Sequence, residues 1–426
     1  MRVLLISSDA PVDLDTGSAG IQKRLSLLIE AFGNIAQLDA LLYVAPDTDC
    51  SSAAVARREL ALSTYWNIKI NLFLCPKASI ETSSSKWRQQ TKGIFSLLHQ
   101  PGFTQTSGIK QVQALEHCLQ RQPDAIFVHR LHSMCPVLLT KRPLPPVFFD
   151  LDDIEHIKQI RWLKQSVSHP TGWLYYLQIP ALCWGEQRAI RQATRTFICS
   201  KRDCGYLTQQ WRLPNVTVVP NAIAIPKPQP LMPEPTLLLL GTYTYTPNIH
   251  AANFLIEQVF PKIQQQVPEA KLIIAGRKPE SIRAFAKAPP NVEFTGFVND
   301  LDALYRRSRV ACNPIFFGGG TRVKMVEAAA YGKPIVATRI GAEGLEMFPD
   351  EDFLLRNTAS EFAEGCITLL KNDALCHQLG SSARTKAIQH YDRASIVTLV
   401  QQQIQSILKQ NLMPANIPTQ LNPPVS

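Results

Sequence analysis

The chain has 426 residues and a formal net charge of +10, with 45% hydrophobic and 18% charged residues. That length exceeds one ordinary core and suits two domains, and the composition excludes a disordered chain. No apolar run approaches the ~20 residues of a membrane span, and the 10 cysteines form no CxxC pair or Cys/His pattern that would hold zinc.

The opening "MRVLLISSDAP" reads as a first strand over 2–7. Its apolar run is too short for a secretory leader, so the protein is expected in the cytoplasm. "SSDAPVDLDTGSAGIQKRL" follows as strand, long loop and helix start, with Gly17 and Gly20 flanking the turn. Lys23 and Arg24 then lie just inside a helix expected over 20–32. Further strands are expected at 38–44, 68–75, 124–129, 146–151, 195–200 and 216–220, with helical patterns between them, such as Trp184 to Gln192. A second series runs 236–243, 271–276, 292–298, 309–316 and 333–339. Strands apolar on both faces and separated by helices predict parallel sheets. The fold class is therefore α/β, with two Rossmann-like doubly wound domains facing a cleft. The first spans 1–221 and the second 236–390, joined by a proline-rich linker over 222–235. A crossover helix over 391–411 is expected to return to the first domain, and 412–426 to be a disordered tail. No G-x-G-x-x-G follows the first strand of either domain, which argues against a dehydrogenase.

The positive charge suits nucleic acid, an anionic membrane or phosphorylated substrates. Nucleic acid is not expected, because there is no RNP-type aromatic motif, zinc finger or Lys/Arg block. Basic and aromatic residues mix in "KWRQQTKGIFSLL" (86–98) and "IKQIRWLKQSVSHPTGWLYYLQI" (157–179). Such stretches suit an anionic bilayer surface, and equally a solvated helix that packs its aromatics inward.

The densest chemistry lies in "GGGTRVKMVEAAAYGKPIVATRIG" (318–341). Gly318, Gly319 and Gly320 supply a tight turn, Thr321 an N-cap, and Gly332 the residue past a helix ending at Tyr331. Arg322 and Lys324 load the already positive helix start, a cost that a phosphate or diphosphate would offset. Glu327 shares a face with Lys324 one turn deeper, where a carboxylate can accept two ribose hydroxyls. In the first domain, His129 stands at the end of a strand, where doubly wound sheets bind ligands, and His132 follows. Asp150, Asp152, Asp153 and Glu155 cluster after the next strand. An Asp-x-Asp can bind a divalent cation; the simpler reading has Asp152 or Asp153 cap the next helix or face an acceptor.

The 318–341 segment resembles the donor-binding helix of GT-B-fold, retaining glycosyltransferases of the family 4 type. "LLLLGTYTYTPNIHAANFLIEQVFPKI", "AKLIIAGRKP" and "NVEFTGFVNDLDALYRRSRVACNP" are similar to the preceding donor-domain units, and "WGEQRAIRQATRTFICSKRDCGYL" and "VTVVPNAI" to the end of the first domain. The resemblance implies a nucleotide diphosphate-sugar donor, no cofactor and no metal, because fixed cations take the metal's place. The acceptor would be a glycan, lipid-linked sugar or polysaccharide precursor, met in the cytoplasm or on the inner face of the membrane. It further implies that His129 orients the sugar and that the Gly17 loop, Arg277 and Val298 border the donor. Two departures stand out. Gly319 replaces the first of two glutamates separated by seven residues, and "GTYTYTPNIH" lacks the usual Arg and Lys. Arg322 and Lys324 are the candidate replacements, with Arg277 as a third. A nucleotide-sugar epimerase and a non-catalytic nucleotide-binding scaffold are the alternatives.

Overall fold

The computed structural model describes residues 1–9, 20–33, 35–79, 86–165, 172–229, 232, 234–287 and 289–412. The first seven strands are β1 (Arg2–Ser7), β2 (Gln37–Val44), β3 (Ile70–Pro76), β4 (Ala125–His129), β5 (Val147–Asp152), β6 (Arg195–Ile198) and β7 (Val216–Val218). They form one sheet in the order β3-β2-β1-β4-β5-β6-β7. The second sheet contains β8 (Thr236–Leu240), β9 (Lys271–Ala275), β10 (Val292–Gly296), β11 (Val310–Asn313), β12 (Ile335–Ala337) and β13 (Leu354–Leu355). Its order is β10-β9-β8-β11-β12-β13. Neighbouring strands are parallel throughout. Two Rossmann-like domains result.

The alternation in each first strand explains the layering. Leu4 and Ile6 enter the core on one side of the first sheet, while Val3 and Leu5 enter the core on the other. In β8, Leu237 and Leu239 face one core and Leu238 the opposite one. Each side chain removed from water contributes roughly 1.5–3 kcal/mol, so both faces must be covered by helices. In each sheet the order reverses beside the first strand, at β1/β4 and at β8/β11. Such switch points open a crevice at the carboxyl ends of the strands.

The crossover helix expected over 391–411 starts afresh at Arg393 instead of continuing the helix before it. One helix ends at Tyr391 and another runs Arg393–Leu412. Asp392 divides them because its carboxylate accepts from Ser395 N at 3.0 Å, starting a new helix. Ile396, Val397, Val400, Ile404 and Ile407 of that second helix are buried with Leu28 and Phe32 of the first domain. Arg393 pairs with Glu30 at 2.7 Å. At the crossing, Ile223 N donates to Tyr391 O at 3.0 Å and Arg393 N to Ile223 O at 2.9 Å. The two connections between the domains thus run side by side.

Candidate active site

The carboxyl ends of both sheets face a cavity of about 670 Å³. Its cationic lining is Lys23, Arg130, Lys158, Arg277, Arg322 and Lys324, against the carboxylates Asp152, Asp153 and Glu327. That excess of positive charge suits an anionic ligand.

The glycine-rich loop forms one wall. Gly318 has φ +117° and Gly320 φ +64°, conformations that L side chains rarely adopt. A Cβ on Gly320 would also collide with Asp153 Oδ1 of the first domain. Arg322 is folded beneath this loop. Its Nη1 donates to the carbonyls of Gly319 and Gly320. Its Nε and Nη2 are buried and have no partner among the described residues. A buried unpaired guanidinium N–H is costly, and an incoming oxyanion would satisfy it.

Thr321 is not the helix cap. Its hydroxyl accepts from Asn221 Nδ2 at 2.8 Å, and it stands one residue ahead of the N-cap position. Arg322 occupies the N-cap position with no side-chain cap bond, before the helix Val323–Ala330. Met325 N donates back to Arg322 O at 2.9 Å, and no side chain among the described residues caps the N–H groups ahead of it. Gly332 does end this helix, with φ +71° and its N–H donating to Ala329 O at 2.8 Å.

Lys324 donates to Asn248 Oδ1 at 2.8 Å. Burial, with Arg322 nearby, pushes its ammonium down to about 7 against the pull of Glu327. Glu327 faces the cleft and pairs with Lys23 of the first domain. Opposite them lie Val298 and Arg277, the latter with its guanidinium carbon 4.6 Å from the Phe297 ring centroid.

The first-domain wall uses residues that follow β4 and β5. Arg130, at φ +64°, reaches Glu155 at 3.2 Å and Asp9 at 3.6 Å. Lys158 pairs with Glu155 at 2.6 Å. Burial acts to raise the Glu155 carboxyl, but Lys158 and Arg130 prevail and hold it down to about 2. Asp153 shows the opposite balance: burial, then Asp152, pushes it up to about 6. Both Asp152 and Asp153 line the cleft, and Asp153 lies against Gly319 and Gly320. Asp152, Asp153 and Cys199 place their ligand atoms within 4.8 Å of one another. Burial pushes the Cys199 thiol well up, as do the nearby Asp152 and Asp153.

His129 ends β4, as expected, but its side chain is wholly buried, with Nδ1 3.0 Å from Asp150 Oδ2 and Nε2 without a partner among the described residues. Asp150 in turn holds Arg24, Nη2 to Oδ1 at 2.5 Å, and Arg24 donates to Val219 O at 2.9 Å. This cluster ties the helix Gly20–Gly33, the ends of β4 and β5 and the residue after β7 together. The cleft wall at this strand end is Arg130. His132 is half-buried, stacked on Phe103 at 4.2 Å, and desolvation pushes it down to about 4. Gly17 lies outside the described residues, as do the side chains of Lys86, Trp87 and Arg88.

The domains touch across the cleft. Arg161 donates to Gly318 O at 2.9 Å and pairs with Glu343 at 2.5 Å, while Lys201 pairs with Glu346 at 2.7 Å. Reading of the sequence singled out neither Arg130 nor Asn221, Asn248 or Glu343 for the cleft. Arg130 carried a signal, since it directly follows the strand-end His129.

Residues 234–372 match the family model described as glycosyl transferases group 1. An uncharacterized 44.6 kDa protein in the cps region of Klebsiella pneumoniae is 24% identical over 183 residues, which is 41% of this chain and 45% of that one. The chain thus spans less than half the length of this curated relative. Sucrose-phosphate synthase from Thermosynechococcus elongatus superposes with a TM-score of 0.67 at 15% identity, covering 96% of this chain and 99% of the other. HepE of Anabaena, solved in complex with UDP-glucose, superposes with a TM-score of 0.62 at 14% identity, covering 95% and 100%. The two parallel-sheet domains thus share the GT-B fold of these neighbours, and residues 234–372 within the second domain resemble the glycosyl transferases group 1 model.

Proposed function

We propose that the protein transfers a sugar from a nucleotide diphosphate-sugar to a glycan, lipid-linked sugar or polysaccharide precursor, with retention of configuration. The observation that carries this reading is Arg322: two buried guanidinium nitrogens without a partner among the described residues, beside Lys324 and an uncapped helix start, at the glycine loop. Arg322, the helix start and Lys324, whose ammonium a bound anion would hold charged, converge where a leaving diphosphate would gather negative charge. A binding partner in the UDP-glucose complex of HepE, and the cps-region setting of the Klebsiella protein, are consistent with this donor class and a polysaccharide context. The group 1 match favours transfer over the epimerase and scaffold alternatives.

In this reading Glu327 exchanges Lys23 for the ribose hydroxyls. Asp153, a carboxylate set against the glycine loop, accepts from hydroxyls of the sugar. His129 acts at a distance, through Asp150, by holding the strand ends that carry Arg130 and Asp152. The fixed cations make a metal unnecessary. The enzyme works in the cytoplasm and can attach to the inner face of the membrane. A thermal-shift panel of nucleotide-sugars, followed by a product assay on the best binder, tests the proposal. Stabilisation by at least one nucleotide-sugar and release of its nucleoside diphosphate are expected. No stabilisation by any of them would refute it.

A further inference from the structure

We infer that the first domain docks on an anionic phospholipid bilayer through the outer face of the helix Gly172–Gln192. This deepens the proposed membrane attachment, on which it rests, by assigning the surface. Trp173, Tyr176, Leu177, Pro180 and Trp184 fall on one side of that helix at helical spacing, and all are exposed. Trp184 is 77% and Trp173 55% accessible, far more than a tryptophan that packs inward. The opposite side, with Leu174, Gln178, Leu182 and Ile190, is buried, so the helix is already seated on its own domain.

The neighbouring helices extend the same surface. Gln178 donates to Gln90 O at 3.0 Å, which joins the helix to Lys86–Phe95, and Phe95 at its end is 85% accessible. Trp162, on the helix Glu155–Gln165, meets Tyr175 edge-on at 6.1 Å and remains exposed. Around these aromatics lie the exposed cations Lys92, Lys164, Arg188 and Arg191.

Charge selects the occupant. The three helices contain only two carboxylates, Glu155 and Glu186, and both are buried, Glu186 against His156. The described outer surface of this unit therefore shows tryptophan, tyrosine, phenylalanine and cations, with no exposed anion. Amphipathic rings that sit at headgroup depth, ringed by basic residues, suit an anionic bilayer. The helix Glu155–Gln165 also supplies Lys158 and Arg161 to the cleft region. Docking here would bring the first-domain side of the cleft to an acceptor carried by the lipid.

The test is co-sedimentation of the full chain with vesicles of phosphatidylcholine alone or mixed three-to-one with phosphatidylglycerol, at low and high salt. The expected result is salt-sensitive binding to the mixed vesicles, about tenfold or more above the neutral ones. The double variants Trp173→Ser/Trp184→Ser and Lys92→Glu/Lys164→Glu should each lose about tenfold, since every changed side chain is exposed. Both should keep wild-type affinity for UDP, which shows that they are folded. Binding to neither vesicle, equal binding to both, or unchanged binding by either double variant would overturn the proposal. Self-association of the wild type that the tryptophan variant abolishes would overturn it too, by giving the face to a second copy. Vesicle binding by a protein that binds no nucleotide would refute the donor reading and leave this surface standing.

Discussion

Lys324 should make donor binding depend on pH in a way that can be computed. Its ammonium is lowered to about 7 by burial and by Arg322, so in the empty cleft it is about half neutral at neutral pH. A diphosphate beside it favours the charged form and raises its pKa, so binding takes up a proton. At about pH 8 roughly nine tenths of the empty protein must gain that proton, and each further pH unit costs about 1.4 kcal/mol, or tenfold in Kd. Below about pH 6 the ammonium is already charged and the dependence should vanish. The sign for folding is opposite: the unfolded chain binds the proton more tightly, so Lys324 makes the empty protein more stable as pH rises from about 7 towards 10.5. Calorimetry with UDP-glucose suits the measurement, because its esterified diphosphate does not itself titrate near neutrality. Repeating the titration in buffers of different ionisation enthalpy should give an uptake of about 0.9 proton at about pH 8. Lys324→Met should show almost none and a flat Kd over the same range. An uptake that persists in Lys324→Met, or a wild-type affinity indifferent to pH, would refute the assignment of Lys324 to the diphosphate.

Other perturbations separate the remaining roles. Arg322→Ala should weaken nucleoside diphosphate binding by about 2 kcal/mol, measured by calorimetry, through loss of charge-assisted contacts and of the two loop carbonyl bonds. Glu327→Gln should raise the donor KM more than it lowers kcat, since a ribose contact contributes to binding; a collapse of kcat at constant Kd would make it an essential base. Asp153→Asn should leave UDP affinity within about twofold while weakening the intact nucleotide-sugar about tenfold, roughly the effect of one charged hydrogen bond. Transfer should survive EDTA, and a loss restored by a divalent cation would shift attention to Asp152 and Asp153.

Much of the fold was legible because burial on both faces leaves a local trace. "RVLLIS" and "TLLLL" are apolar at every pitch of the strand, and they became β1 and β8, the strands beside which each sheet reverses. β13 escaped notice because two residues, Leu354 and Leu355, carry no period. The glycine loop and the cations behind it could be read for the same local reason. What the sequence could not give was which distant group would claim each side chain. Thr321 is followed by a helix and is a reasonable cap by type, but Asn221, 100 residues away, takes its hydroxyl. His129 and Arg130 are adjacent, and strand geometry sends them to opposite environments: one joins Asp150 and Arg24 inside, the other faces the cleft. Lys23 and Arg24 part in the same manner, to Glu327 and Asp150.

The paired crossings at Ile223 and Asp392 have a mechanical consequence. A single linker would let one domain swivel and twist freely against the other. Two chain passages, laced together by Ile223 N to Tyr391 O and Arg393 N to Ile223 O, act as adjacent pins and suppress torsion. Swinging open about the line they define is the soft motion that remains. Every return along that arc brings Lys23 back to Glu327 and Arg161 back to Glu343. Registration of the two halves of the site is thus held by a few backbone hydrogen bonds at the point where the chain crosses between the domains.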